Sequence, residues 1–520
     1  GAPVYAHDLI DDLCAIGELE LTHSGWALRA ESTPSRGKIR RWVGRLRRFI
    51  EVDPSARLPI EVMAALGLES SREEWFLVCE RLGAIATPRL IEKMALFGIV
   101  RGDGELGLEL ASEALRAELE QTSRHEGRWS AINLCIASIL SSDEPERRGA
   151  HHLAADLPEA AIEDLLSAAS RRLERGELLR THTLLDRLDE IIDALPDGGS
   201  PFSSLLRARI GALRADCFDL QGRYLEARDV AANAAACAHS MGLTDIAAQA
   251  LARHAFALLH GGATEEAYQR FEELLEDYGW RSPRASLAAR EGLARVSQRR
   301  GDIEAARTLF QECLEDARAL GFSHAEAVCH NGLGDIARQA NDLELARAHS
   351  ARALELFEQR GHRVMVADCL NDLAELARIE GNFEEAMALC QRSISLFESV
   401  ESRLSHRARL ELAYVSLGQR ELERARVLLE RLCLTFYEEK DFGQLALAVV
   451  GMLPVLAGRG EIERLGQALE HARRLLERTE RRDRDVAFAL ELARHIDLSA
   501  LSDSHRDALR VLEHAHTPNA

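Results

Sequence analysis

Short stretches of this chain recur at an almost constant spacing, and that period constrains the fold more than any other feature. "QGRYLEAR" (221–228), "RGDIEAAR" (300–307), "ANDLELAR" (340–347) and "EGNFEEAM" (380–387) are near copies of one another. Aligned on the final alanine, the anchors are Ala227, Ala267, Ala306, Ala346, Ala386, Ala425 and, more weakly, Leu465, each 39 or 40 residues from the next. A fixed period of this size predicts stacked units that cannot bury their apolar faces alone.

Each unit reads as two helices. In the second helix, Leu343, Ala346, Ser350, Ala353/Leu354 and Phe357 share one face, and Phe383, Ala386, Cys390, Ser393/Ile394 and Phe397 repeat it. The anchor is alanine because two helices cross closely there, and a larger side chain would push them apart. In the first helix, the positions ten residues before the anchor (Cys217, Ala257, Val296, Ile336, Leu376, Val415, Val455) and twelve before it form a second apolar stripe. Gly222, Gly262, Gly301, Asn341, Gly381 and Gly460, five before the anchor, are residue types that accept a left-handed conformation at a helix end. "EGNFEEAM" is therefore the tight turn of a helical hairpin.

Bulk properties agree. Of 520 residues, 46% are hydrophobic and only 5% aromatic, which suits close-packed helices. The net charge of −20 argues against non-specific nucleic-acid binding. The ten cysteines show no paired metal spacing; Cys329 and Cys369 sit one period apart at a core-facing position, and this usage fits a reducing, cytoplasmic setting. No signal peptide is visible. The apolar run "LALAVVGMLPVLA" (445–457) is too short to span a bilayer and reads as a buried helix kinked at Pro454. The chain begins "GAPVY" without an initiator Met, as a fragment of a longer protein would.

Before the repeats the pattern changes. "STPSRG" (32–37) reads as a linker. Seven Arg/Lys fall between Arg36 and Arg48, but Ile39, Trp42, Val43 and Leu46 form an apolar stripe among them, so this is a solvated or interdomain helix in preference to a nucleic-acid contact. Residues 58–110 read as three helices and then a hairpin, "IVRGDGELGLEL", which suggests a winged-helix module.

The repeat resembles the tetratricopeptide family. Leu333, Gly334, Ala337, Ala346, Ser350 and Ala353 fall at its large, small, aromatic, Ala, aromatic and Ala positions, in a unit about six residues longer than usual. The resemblance covers roughly 205–480, with a divergent copy in "RGELLRTHTLLDRLDEIIDAL" set off by "PDGGSP" (196–201). The N-terminal stretch is similar to the end of the ATPase domain in bacterial signal-transduction ATPases of the STAND class, with Gly1, Pro3, Leu9, Leu13, Gly17, Gly25 and Trp26 at the matching positions. "LPIEVMAALGLESSREEWFLV" and "LFGIVRGDGELGLELASEALRAEL" resemble the winged helix that follows, although "LELAS" (108–112) lacks the family's Phe-x-His. The expected fold is an all-α solenoid of about eight hairpins, period about 40, after a small winged-helix-like domain. The expected segments are 1–31 (tail of an ATPase module), 38–112 (winged helix), 113–158 (helical connector), 159–198 (divergent first repeat), 202–480 (repeat array) and 481–520 (capping helices).

Several motifs look catalytic without the context that chemistry needs. Gly102 to Gly107 matches GxGxxG but lies in a predicted hairpin instead of a βαβ unit. "DFG" (441–443) and "HRD" (505–507) occur in the wrong order for a kinase, and both fall in helical repeats. There is no phosphate loop. His151-His152 and His514-x-His516 are not metal pairs, because neighbouring positions do not share a helix face.

In a solenoid of helical hairpins the first helices line the concave side. Asn331, Asp335 and Arg338, then Asn371, Glu375 and Arg378, with Glu291 and Arg295 before them, form a polar ladder there. It reads either as a groove for an extended peptide, a protein or a small polar effector, held by charge-assisted bonds, or as ordinary surface pairs. The Lys/Asn pair by which some tetratricopeptide repeats clamp a peptide C-terminus is missing. The resemblance implies a non-catalytic, cytoplasmic sensor or scaffold coupled to an ATPase switch outside the chain. No catalytic, cofactor or metal residue is expected here, ATP is expected only upstream, and neither nucleic acid nor membrane is an expected partner. The alternative is the regulatory C-terminal part of a multidomain Ser/Thr kinase or ATP-dependent transcriptional regulator.

Overall fold

The computed structural model describes residues 19–22, 25–28, 36–67, 69–101, 107–195, 201–479, 484–493 and 501–516. The STAND-like positions up to Gly17, the Gly102–Glu105 turn and "PDGGS" at 196–200 lie outside these residues, as do the side chains of Ile39, Trp42 and Val43. The chain forms two compact units, Gly1–Ala168 and Ala169–Ala520, with the boundary inside helix Pro158–Glu174.

In the N-terminal unit, strands Leu19–Thr22 and Gly25–Leu28 pair as a hairpin. Helices Arg36–Val52, Arg57–Leu66, Arg72–Arg81 and Pro88–Leu96 follow. The expected pairing of Val100–Arg101 with Leu108–Leu110 is present, and a third strand, Glu69–Ser70, joins the other edge of Leu108–Leu110. At two residues, that strand is too short to leave an alternation in sequence. Trp75 is fully buried and donates its indole N–H to the Pro59 carbonyl at 2.8 Å. Glu61, 1% exposed, accepts two bonds from Arg128 (2.8 and 2.6 Å) and one from Ser123 (3.2 Å), so its charge is compensated inside the fold. His151 and His152 point to separate partners, Asn133 and Asp164, each at 2.8 Å.

The second unit is a succession of helical hairpins from Leu178–Asp193 through Ile462–Thr479. All six anchor alanines are buried, as is Leu465, and so are the seven residues ten before them and the seven twelve before them. The turn residues adopt φ of +66° at Asn341, +80° at Gly381 and +71° at Gly460. Arg420 takes the same left-handed place, at φ +62°, where glycine's absence hid the turn from sequence. Helix Phe442–Gly458 runs through Pro454.

One column of the repeat is set by size. Fourteen residues before each anchor, the first helix faces the residue four after the preceding anchor. A Cβ at Gly292 would overlap the edge of the Phe271 ring, one at Gly332 would lie 2.6 and 2.7 Å from Phe310 ring carbons, and one at Gly451 would press on Leu429 at 3.1 Å. Where the opposing residue shrinks to Ser350 or Cys390, the same column carries Asp372 or Glu411. Small neighbours make room for a carboxylate inside the array.

Candidate ligand groove

The first helices of successive hairpins line a groove of about 2980 Å³ in the second unit. Glu291, Arg295, Asn331, Asp335, Arg338, Asn371 and Glu375 all line it. They are brought together by register: each stands about two, three or four turns along a first helix, and stacking at a 39–40-residue period aligns them between repeats.

The ladder is cross-linked between repeats. Arg338 bonds Asp335 at 3.0 Å on its own helix and Glu375 on the next. Asn331, 4% exposed, donates to Asp372 at 2.8 Å across the same step. Arg295 bonds Glu291 at 3.1 Å. The pairings between helices are not the i,i+3 surface pairs that sequence alone offers, and they sit in a walled groove where charge is less screened. Asn371 Oδ1 is buried without a hydrogen-bond partner.

Arg378 is a correction. It does not line the groove; its side chain is 2% exposed and lies between Glu411 (2.5 Å) and Asp485 (2.5 Å), with the rings of Tyr414 and Phe488 5.4 and 5.1 Å away. Asp485 belongs to helix Arg484–Ala493, one of the C-terminal helices, which packs on helix Phe442–Gly458 and covers this end of the ladder. No repeat spacing could have shown that a residue 107 positions away takes the place of solvent.

Sequence reasoning missed Asp216, Asp368, Asp372 and Arg407, which also line the groove. Burial raises the Asp372 carboxyl well above the usual range, and the neighbouring Asp368 and Asp335 charges add to this. Burial likewise pushes Asp216 up to about 6, against the pull of its partner Arg253. The size column that reads Gly292, Gly332, Asp372, Glu411, Gly451 was the available signal for Asp372. His324 and His362 stack on the wall with ring centroids 5.9 Å apart, and burial holds both neutral, at about 3 and about 4. Asp441 of the "DFG" word caps helix Phe442–Gly458 by accepting from Gln444 N–H at 3.0 Å, and the "HRD" word lies within helix Asp503–His516. Among the described residues no three His, Cys, Asp or Glu side chains converge as metal ligands, and no helix is long and apolar enough to cross a membrane.

Residues 282–518 match the family model of the MalT-like TPR region. Over these residues the chain is similar to that tetratricopeptide-repeat region. The match supports the resemblance, drawn from sequence, to the C-terminal repeat region of a STAND-class protein. No curated protein sequence matches the chain. Among solved structures, a STAND protein with a tetratricopeptide-repeat sensor from Pyrococcus horikoshii is 12% identical with a TM-score of 0.39, covering 93% of this chain; the chain spans 65% of that protein's length. A Rap protein complexed with competence and sporulation factor is 12% identical (TM-score 0.44; 68% of this chain, 99% of that one). The apo quorum sensor NprR from B. thuringiensis is 16% identical (TM-score 0.44; 68% and 99%).

Proposed function

We propose that this chain is the sensor and scaffold part of a cytoplasmic signal-transduction protein. Its repeat groove binds a protein, a peptide or a small polar effector, and its N-terminal unit relays that event to an ATPase switch carried outside these residues. The observation that carries the reading is the groove of about 2980 Å³, lined along several repeats by amide, carboxylate and guanidinium groups. A ligand held by such a surface is recognised by hydrogen bonds and charge over an extended length. The order of helices and the three-stranded sheet of Glu69–Ser70, Leu108–Leu110 and Val100–Arg101 support a winged-helix reading, which suits a relay between an ATPase and a repeat array. The repeat region itself is read as non-catalytic, with ATP bound only by the upstream module. A parent that is a Ser/Thr kinase or an ATP-dependent regulator is the second reading.

The test uses groove-lining residues outside the apolar clusters, and the melting curve of the variant is measured beside its binding. Arg338→Ala with Arg407→Ala removes two groove-lining guanidinium groups. Affinity capture from lysate of the native host, wild type against the double variant, should recover a specific partner with the first and lose it with the second. Equal recovery of every specific partner rules out this surface. Measurable ATP turnover by purified 1–520 rejects the non-catalytic reading.

A further inference from the structure

The repeat array closes on itself. The turn at Leu220–Gly222, in the first full hairpin, meets the loop at Ser402–Leu404: Ser402 Oγ donates to the Leu220 carbonyl at 2.7 Å, and the Arg403 N–H donates to the Gln221 carbonyl at 3.3 Å. Beside it, Gly176 lies against Arg363 and Val364, and Arg360 reaches Glu174 at 3.7 Å. Leu178, Cys217, Val364, Phe397 and Val400 form a buried apolar cluster along the line of contact. Ser402 and Leu220 are 182 positions apart along the chain, so the contact joins successive turns of the superhelix and not neighbouring hairpins.

The loop is reshaped for this contact. The helices Ser323–Gln339 and Arg363–Ile379 begin 23 residues before their anchors, Ala346 and Ala386, whereas Ser405–Gly418 begins 20 before Ala425. Ser402, Arg403 and Leu404 thus stand where the first helical turn would be. Leu173, Glu174, Gly222, Arg403 and Leu404 line the groove as well, so this seam is part of the groove's wall.

We propose that the seam is a clasp, which opens and closes the side of the groove while every hairpin stays folded. In a solenoid each hairpin is held by its neighbours, so contacts between turns are additional to those that maintain the repeat. An apolar cluster joined, among the described residues, by the Ser402 and Arg403 hydrogen bonds and the Arg360–Glu174 ion pair resembles an interdomain contact, for which relative motion is the default. A ligand long enough to follow the ladder enters through the wall when the clasp is open and is enclosed when it shuts. The consequence for ligand entry rests on the proposed binding role of the groove; the opening itself does not.

The seam provides its own test. A Cβ placed at Gly176 lies 3.4 Å from Arg363 Cβ, and one at Gly222 lies 3.6 Å from Arg403 Cβ, close to the separation of about 3.5–4.5 Å that a disulfide bridges. The full chain carrying Gly176→Cys with Arg363→Cys, and separately Gly222→Cys with Arg403→Cys, is compared oxidised against reduced. Because φ is +71° and +75° at the two glycines, each variant's own reduced form is the reference. Hydrogen exchange is followed at residues 400–404, whose Arg403 N–H bonds across the seam. The expected result is exchange slowed about tenfold or more by oxidation at this segment, with helix Ser323–Gln339 unchanged. Unchanged exchange at 400–404 means that the seam does not open and overturns the proposal. Slowing of all helices alike means that only global unfolding exposes the seam, which overturns it equally. Failure of both pairs to form a disulfide shows that the turns do not meet. A negative capture experiment with the groove variants leaves all of these outcomes readable.

Discussion

Gly332→Ala is the sharpest perturbation of the repeat register. In an open helix, alanine replaces glycine with a gain of about 1 kcal/mol. At Gly332 the new methyl would sit 2.6 and 2.7 Å from ring carbons of Phe310, where carbon atoms prefer about 3.5–4.0 Å. The ring must retreat by about 1 Å, yet Phe310 is 0% exposed and enclosed by Ala306, Cys313 and Leu333. Overpacking of this kind costs about 1–3 kcal/mol, and a ring with no free volume belongs at the upper end. The expected net loss is about 2 kcal/mol, read as a lower urea midpoint and faster amide exchange in helices Ile303–Leu320 and Ser323–Gln339. Two companions isolate the cause. Phe310→Leu combined with Gly332→Ala should recover at least half of the loss, because the two sites are coupled. Gly44→Ala, with nothing within 4 Å of the added methyl, should stabilise its helix instead. If Gly332→Ala is neutral or stabilising, the pairing of small and large positions between successive repeats is wrong.

Ala386→Leu should cost on the order of 1–3 kcal/mol, because the anchor is fully buried at a helix crossing; an unchanged melting curve refutes the crossing. Arg378→Ala should cost about 3–5 kcal/mol by leaving Glu411 and Asp485 uncompensated, and thermal denaturation that shows a loss under about 1 kcal/mol refutes its buried role. His324 is held neutral at about 3 against an ordinary 6.5, so its contribution is complete above pH 6.5 and falls as pH drops toward 3. It should remove about 2 kcal/mol between about pH 7 and pH 5, and His324→Phe should abolish that share; an identical pH profile for the variant refutes it. The raised carboxyl of Asp216 acts with the opposite sign between its ordinary 3.8 and about 6, gaining stability as pH falls, so the comparison with His324→Phe is made at matched pH.

The period, the anchor alanines, the helix faces and most of the turns were legible in sequence because each depends on residues close together in the chain. Helical periodicity places Ile336 and Gly334 inside whatever the partners are, and a left-handed turn selects Gly or Asn wherever it occurs. Arg420 shows the limit: neighbouring structure can hold a non-glycine in that conformation, and then the local signal disappears. The ladder was legible for the same reason, since Asn331, Asp335 and Arg338 share a face by spacing alone. What spacing does not contain is how far the superhelix turns per repeat. That rotation accumulates over many hairpins and decides which distant residues meet. It placed Asp485 on Arg378 and made a buried ion of a residue that its own repeat presents as groove-facing. It brought Ser402 to Leu220 and gave the groove a wall. Local chemistry fixed each hairpin; only the summed geometry of the stack decided which charges became core, which remained in the groove, and where the turns touch.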